Sequence, residues 1–379
     1  SSEGTHATMR IAMVSIGTDA DDGMDRTGSG AGTLLAALCA RHDVVVDTEE
    51  GDVAVPAGAR VRRHAVMQSG TGRLAERLPR LAESLELAWR TERPDLVYVP
   101  GSAVALAAGA AVRELGLPLV LSLHAADPRG PGAAATAVAR CADRVLVTSR
   151  EQAAGLVRSG VRRSVTRVVP PGVDVRSLGP DGTVMRRGNR PRLVTTCGIG
   201  RDSGVDDVIA ALRILPAAEL FVACGPGLGE QGRAELVRCR RAAAEAGVAR
   251  RVHLVAITLD ALGPLLRSAD VVVDVPRHRA RGRAVLEAMA CGRPVVASDM
   301  APLNELVVDE VTGLLVAPGR PAELGRAVAR LLGQPSLPTA FGIAGRDRVL
   351  ARYSWERVGA AVSAVLGEAV DARRPAAVG

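Results

Sequence analysis

The sequence has no lysine. All 48 of its Lys-plus-Arg cations are arginines, so any anion it binds must be met by guanidinium groups, backbone N–H groups or helix ends. Aromatic residues make up only 2%, which leaves no stacking platform for single-stranded nucleic acid. The net charge of +7 therefore does not by itself indicate a nucleic-acid partner, and none of the usual nucleic-acid motifs occurs. The six cysteines, at 39, 141, 197, 224, 239 and 291, are far apart and form no CxxC pair. Most sit in apolar runs, which predicts reduced thiols in a cytoplasmic protein rather than disulfides or metal ligands. The six histidines do not pair at metal-ligand spacing. No apolar run reaches the roughly 18 residues of a membrane span, so no integral membrane segment is expected. The polar SSEGTHAT ahead of Met9 reads as an appended remnant, not as a secretory signal.

The chain that remains is long and rich in apolar residues. With 379 residues, 47% hydrophobic and 23% charged, it fits two globular domains. Short β-branched runs alternate with Ala/Leu/Arg segments at helical spacing, the pattern of βαβ units and parallel sheets. In the first half the strand candidates are 10–16, 43–48, 60–66, 95–99, 118–124, 144–149 and 166–170. A stretch rich in Pro, Gly and polar residues follows at 170–191, without periodicity, and reads as a linker. The pattern then restarts with candidates at 192–198, 219–225, 251–256, 270–276, 294–298 and 313–318. The expected fold class is α/β, with an N-terminal domain over 9–172, a linker at 173–190 and a C-terminal domain over 191–354. Two such domains imply a cleft, and ligands bind beyond the carboxyl ends of parallel strands.

The loops leaving the strands carry the candidate chemistry. After the first strand, GTDADDGMDRTGSGAG (17–32) opens a helix near Ala31, where Gly28, Gly30 and Gly32 would let backbone approach a ligand. The glycines come too late after the strand for a dinucleotide fingerprint. His124 ends the strand LVLSLH, where it would hydrogen-bond a substrate or serve a purely structural role. In CGIGRDSG (197–204), Gly198, Gly200 and Gly204 bracket Arg201 and Ser203, either as an anion pocket or as a tight turn with a solvated arginine. Cys224-Gly225-Pro226 sits at another strand end, a weak signal for a wall beside a nucleobase. PRHRARGR (276–283) brings Arg277, Arg279, Arg281 and Arg283 to the approach to Glu287. That glutamate would either complement a helix dipole, worth about 0.3–1 kcal/mol, or accept both hydroxyls of a ribose.

Taken in order, several segments resemble the retaining glycosyltransferases of family 4, which have the two-domain GT-B fold. They are MRIAMVS, ADRVLVTSREQAAGLVRSGVRRSVTRVVPPGVD (142–174), AAAEAGVARRVHLV (242–255), LLRSADVVV (265–273), LEAMACGRPVVAS (286–298), VVDEVTGLLVAP (307–318) and RYSW (352–355). The resemblance covers nearly the whole chain. It implies transfer of a sugar from a nucleotide-diphosphate sugar to a small-molecule acceptor, with no metal and no further cofactor. The C-terminal domain would hold the nucleotide. By position Glu287 matches the ribose-binding carboxylate, His124 a histidine near the sugar, and Gly225-Pro226 the turn beside the base. Gly30, Ala31 and Gly32 match the loop over the diphosphate, and the helix over 355–372 would cross back to the first domain.

The chain departs from that family where charge matters most. The family carries a second glutamate eight positions before Glu287; here it is Arg279, and Arg281 replaces a common aromatic. The family's Arg/Lys phosphate clamp is also changed, with Ile199 and Ser203 at the two cationic positions and Arg201 between them. An ion pair near 4 Å in a partly screened site is worth about 4 kcal/mol, so the loss of two cations calls for replacement. Arg201 would replace one of them, and Arg279, with Arg281 or Arg283, would restore the charge from the opposite loop; Gly282 and Arg283 are expected in donor binding, and His124, Arg201 and Arg279 form the expected catalytic group. The expectation is a re-tuned transferase, whose Ala-rich, Arg-only composition is associated with natural-product glycosylation. A catalytically inactive relative that keeps nucleotide or partner binding is the main alternative, and an epimerase or hydrolase on the same plan is a third. Homo-oligomer formation is left open.

Overall fold

The computed structural model describes residues 8–15, 31–48, 55–64, 74–101, 104–123, 133–196, 199–225, 229–278 and 280–373. It divides into two compact units, one of residues 1–170 with 355–379 and one of residues 171–354.

The first unit is built on a seven-stranded sheet ordered β3-β2-β1-β4-β5-β6-β7. Its strands are β1 (Arg10–Ser15), β2 (Asp43–Thr48), β3 (Ala59–Arg63), β4 (Leu96–Pro100), β5 (Leu119–Leu123), β6 (Arg144–Val147) and β7 (Thr166–Val168). All the pairings are parallel. The central strands read as continuous apolar runs because helices cover both sheet faces; all five residues of β5 are buried. The connecting helices are α1 (Ala31–Cys39), α2 (Leu74–Thr91), α3 (Ala105–Leu115), α4 (Ala133–Cys141) and α5 (Arg150–Arg158). Beneath the edge strands, Asp47 is fully buried and accepts from His64 Nε2 at 2.8 Å and Trp89 Nε1 at 3.0 Å.

The second unit has six parallel strands ordered β10-β9-β8-β11-β12-β13. They are β8 (Arg192–Thr195), β9 (Glu219–Cys224), β10 (Val252–Ala256), β11 (Val271–Asp274), β12 (Val295–Ser298) and β13 (Gly313–Val316). Its helices are α6 (Val205–Ala211), α7 (Glu230–Glu245), α8 (Leu259–Arg267), α9 (Arg283–Ala290), α10 (Leu303–Leu306), α11 (Pro321–Gly333) and α12 (Ser336–Arg352). The strand order reverses between β1 and β4 in one sheet and between β8 and β11 in the other, and these switch points are where open α/β sheets bind ligands.

Two segments differ from a reading by periodicity alone. The stretch expected as a linker is held against the second unit. Arg267 donates to the carbonyls of Thr183 and Gly179, and Arg346 to those of Leu178 and Val175. The last helix, α13 (Trp355–Asp371), belongs to the first unit: Val358, Val362, Val365 and Leu366 pack with Leu34, Leu38 and Tyr98 in one buried cluster. His42 Nε2 meets Ser363 Oγ, and Arg144 Nε donates to Glu368 at 2.9 Å, fastening the helix at two further points.

Candidate active site

The carboxyl edge of the second sheet gathers seven of the residues singled out in sequence: Gly200, Arg201, Ser203, Gly225, Gly282, Arg283 and Glu287. At the exit of β8 the chain passes buried Thr196 and Ile199 and makes one turn of 3-10 helix over Arg201–Ser203 before α6. That turn lies directly against the exit of β11. Gly204, at φ +74°, would place a Cβ 1.8 Å from the carbonyl oxygen of Val275, so no side chain fits there. Arg277 bridges the two loops. Its backbone N–H donates to Asp202 O at 2.9 Å, and its guanidinium grips the buried Asp207 through two bonds of 2.9 and 2.7 Å. From behind, Arg238 donates to the Ile199 carbonyl and pairs with Asp206 and Glu235. The pairing with these carboxylates holds the Arg238 guanidinium above its ordinary range, against the opposing pull of burial. The loop is thus fixed by two arginines that have partners of their own.

Arg201 differs from both. It is exposed at the start of this turn, and among the described residues no hydrogen bond or ion pair engages it. An exposed guanidinium on a loop so firmly held is ready for an external anion. Ser203, expected beside it as a phosphate ligand, is spent on the loop: its hydroxyl donates to Gly200 O at 2.6 Å. Gly200 supplies the exposed backbone ahead of Arg201.

Beyond β11 the chain turns through Ala280, Arg281 and Gly282 into α9. Gly282 has φ +75°, and a Cβ there would lie 2.3 Å from Leu306 Cδ1, so the helix starts at a position only glycine can fill. One turn on, Glu287 is 4% exposed in a helix whose residues 284–290 are all buried. Arg283 Nε donates to its Oε1 at 2.7 Å. Burial raises the Glu287 pKa above the ordinary carboxylate value, and the Arg283 charge opposes that rise. A carboxylate in such a wall costs several kcal/mol unless it is paired, so Arg283 acts first as its counterion. The charge of Arg283 is therefore committed to Glu287 and is not a free replacement for the missing phosphate clamp. At the neighbouring exit of β9, burial pushes the Cys224 thiol up to about 11, which keeps it protonated beside Gly225. Ser298, ending β12, donates to the Pro276 carbonyl at 2.9 Å and anchors the arginine-rich loop from its other side.

Of the expected site residues, Arg201, Gly200, Ser203, Gly225, Gly282, Arg283 and Glu287 all lie on this edge. Ala31 and Gly32 begin α1 in the first unit. His124, Arg279, Gly30, Gly198 and Pro226 lie outside the described residues. Sequence reasoning missed the bracing pairs Arg277–Asp207 and Arg238–Asp206. The first joins residues 70 positions apart, and neither helical nor strand periodicity connects them.

Paired doubly wound sheets with this edge geometry define the GT-B class. A family model described as "Glycosyl transferases group 1" matches residues 190–334, and one described as "Glycosyltransferase Family 4" matches residues 28–177. The chain belongs to glycosyltransferase family 4. Among curated relatives, a D-inositol 3-phosphate glycosyltransferase of Xylanimonas cellulosilytica is 32% identical over 66% of this chain and 62% of its own length. An alpha-maltose-1-phosphate synthase of Mycolicibacterium smegmatis is 29% identical over 54% of each chain. The chain thus spans less than two thirds of either relative. Among solved structures, the sucrose-phosphate synthase of Thermosynechococcus elongatus superposes with a TM-score of 0.80 at 22% identity, covering 96% of this chain and 100% of its own. Anabaena HepE in complex with UDP and glucose superposes at 0.75 with 20% identity, covering 94% and 99%.

Proposed function

We propose that the protein is a glycosyltransferase that moves a sugar from a nucleotide-diphosphate sugar to a small-molecule acceptor with retention of anomeric configuration. The observation that carries this reading is Glu287. It is a buried carboxylate held in one orientation by Arg283, at the carboxyl edge where such sheets take nucleotides. A carboxylate only accepts hydrogen bonds, and two neighbouring ribose hydroxyls supply two donors.

Arg201 then takes the pyrophosphate. Its loop is braced by Arg277 and Arg238, so the guanidinium is positioned before the donor arrives and stabilises the charge that develops on the leaving diphosphate. Arg279, where the family carries a glutamate, adds a second cation and favours a donor sugar bearing an acidic group. By resemblance to the family, His124 is assigned to the transferred sugar and Gly30, Ala31 and Gly32 to the diphosphate. Proton transfer from acceptor to departing phosphate needs no metal, because arginines supply the counter-charge. The relatives' names, D-inositol 3-phosphate glycosyltransferase and alpha-maltose-1-phosphate synthase, favour a small polar acceptor carrying phosphate. The Ala-rich, lysine-free composition is the only support for a natural-product acceptor.

Titration with UDP, GDP and dTDP, followed by assay of nucleotide-sugar hydrolysis, tests the reading. Micromolar binding of one nucleotide with slow turnover of its sugar conjugate is expected. Binding without turnover of any conjugate identifies the inactive alternative, and Arg279→Glu raising transfer from a common neutral nucleotide sugar overturns the acidic-donor reading.

A further inference from the structure

The amino ends of the second sheet carry a separate constellation. Asp270 immediately precedes β11, and Arg293 and Pro294 immediately precede β12. Beside them opens a cavity of about 530 Å³, within the size range of small-molecule sites. Pro294, Leu331, Pro335 and Ile343 give it an apolar lining, and Arg293 and Arg346 also line it. The four residues of β12, at about 3.3 Å each, put roughly 13 Å between this end of the sheet and the edge that bears Arg201.

Charge here is unbalanced. Arg293 donates only to the carbonyls of Cys291 and Ala269, at 3.4 and 3.3 Å. Arg346 donates only to those of Leu178, Ala290 and Val175. The adjacent Arg267 likewise reaches only carbonyls. The carboxylate that lines the cavity beside Arg293, Asp270, is taken by Arg187 through both oxygens and by the Arg192 N–H. Asp347 sits exposed on the rim. Among the described residues no carboxylate lies within ion-pair distance of Arg293 or Arg346. Burial pulls the Arg293 pKa below its ordinary value; Cys291 and Asp270 oppose that pull, and the charges of Arg187 and Arg267 add to it. The group stays charged nonetheless, and a cation with no carboxylate at ion-pair distance is costly to keep against apolar walls.

We propose that this cavity binds a small amphipathic anion. Its ring or short acyl body lies against Pro294, Leu331, Pro335 and Ile343, and its carboxylate or phosphate on Arg293 and Arg346. Such a ligand supplies the missing counter-charge and covers the apolar lining together, which neither inorganic phosphate nor a neutral ring does alone.

Isothermal titration with phenyl phosphate, phenol and inorganic phosphate tests the site. Phenyl phosphate is expected to bind at least about tenfold more tightly than either control. Ile343→Asp, at an exposed rim position, sets a carboxylate beside the arginines; it should weaken binding at least about tenfold while leaving the thermal transition unchanged. Arg293→Gln should do the same, and if that variant fails to fold, the rim variant still decides. Absence of phenyl phosphate binding, equal binding of phenol, or binding untouched by Ile343→Asp would show that the arginines only staple backbone carbonyls, and would overturn the proposal.

Discussion

Glu287 and Arg283 show how much one i,i+4 pair decides. The glutamate is placed where desolvation disfavours its charge, so its folded pKa lies above the ordinary value of 4.5. The folded state then holds a proton that the unfolded chain releases. Stability contributed by this group is present at low pH and is lost as pH rises from the unfolded pKa through the folded one. Glu287→Gln should flatten that part of the curve: the difference in Tm between wild type and variant, measured from pH 4 upward, should shift in favour of the variant as pH rises. A difference independent of pH would show that burial does not perturb this carboxylate. Arg277 sets the complementary case. Arg277→Ala leaves Asp207 buried without its counterion, and because Arg277 is itself 43% exposed, screening reduces the cost to about 1–3 kcal/mol. Chemical denaturation reads that loss, and nucleotide binding should weaken with it as the Arg201 loop loosens.

At the scale of elements, the apolar strand runs and the helices between them were legible in sequence because parallel strands buried on both faces have a composition that loops lack. So was the place of Glu287, through the spacing of the segment that follows it. What could not be read was the bracing. Arg238 and Arg277 sit in surface-like sequence, and only the folded chain brings them to Ile199 and Asp207. The attachment of the stretch over 173–190 was hidden for a related reason: arginines from distant helices hold its backbone carbonyls, and Val173 and Leu178 pack into the second unit's core, contacts that a Pro- and Gly-rich composition does not announce. The fit of the β8–α6 turn against β11 makes a sharper prediction. Gly204→Ala combines a positive φ with a Cβ 1.8 Å from Val275 O, so the turn must move or the unit unfold. A loss above about 2 kcal/mol is expected from the strained φ and the overlap together, and a variant with unchanged denaturation midpoint would contradict the packing described.

At the scale of the molecule, the chain is not two consecutive beads. The first unit closes its core only with α13, which returns after the whole second unit has been made. Four of its apolar residues, Val358, Val362, Val365 and Leu366, are buried in the first unit's cluster. At about 1.5–3 kcal/mol for each fully buried side chain, their contribution rivals the net stability of a domain. A chain ending at Ser354 should therefore retain a cooperative transition for the second unit and lose that of the first, measured by calorimetry and limited proteolysis. Among the described residues no helix is long and apolar enough to cross a membrane.

Arginine alone carries every side-chain cation apart from histidine here, and the account rests on a carboxylate, Glu287, recognising the sugar half of the nucleotide while Arg201 recognises its phosphates. The most direct test is calorimetric titration of the nucleotide that binds, paired with its 2′-deoxy counterpart, against wild type and Glu287→Gln. Wild type should prefer the ribonucleotide by about tenfold, the worth of one charge-assisted hydrogen bond, and the variant should lose that preference while both ligands still depend on Arg201. Equal discrimination in wild type and variant, or no nucleotide binding at all, would contradict it.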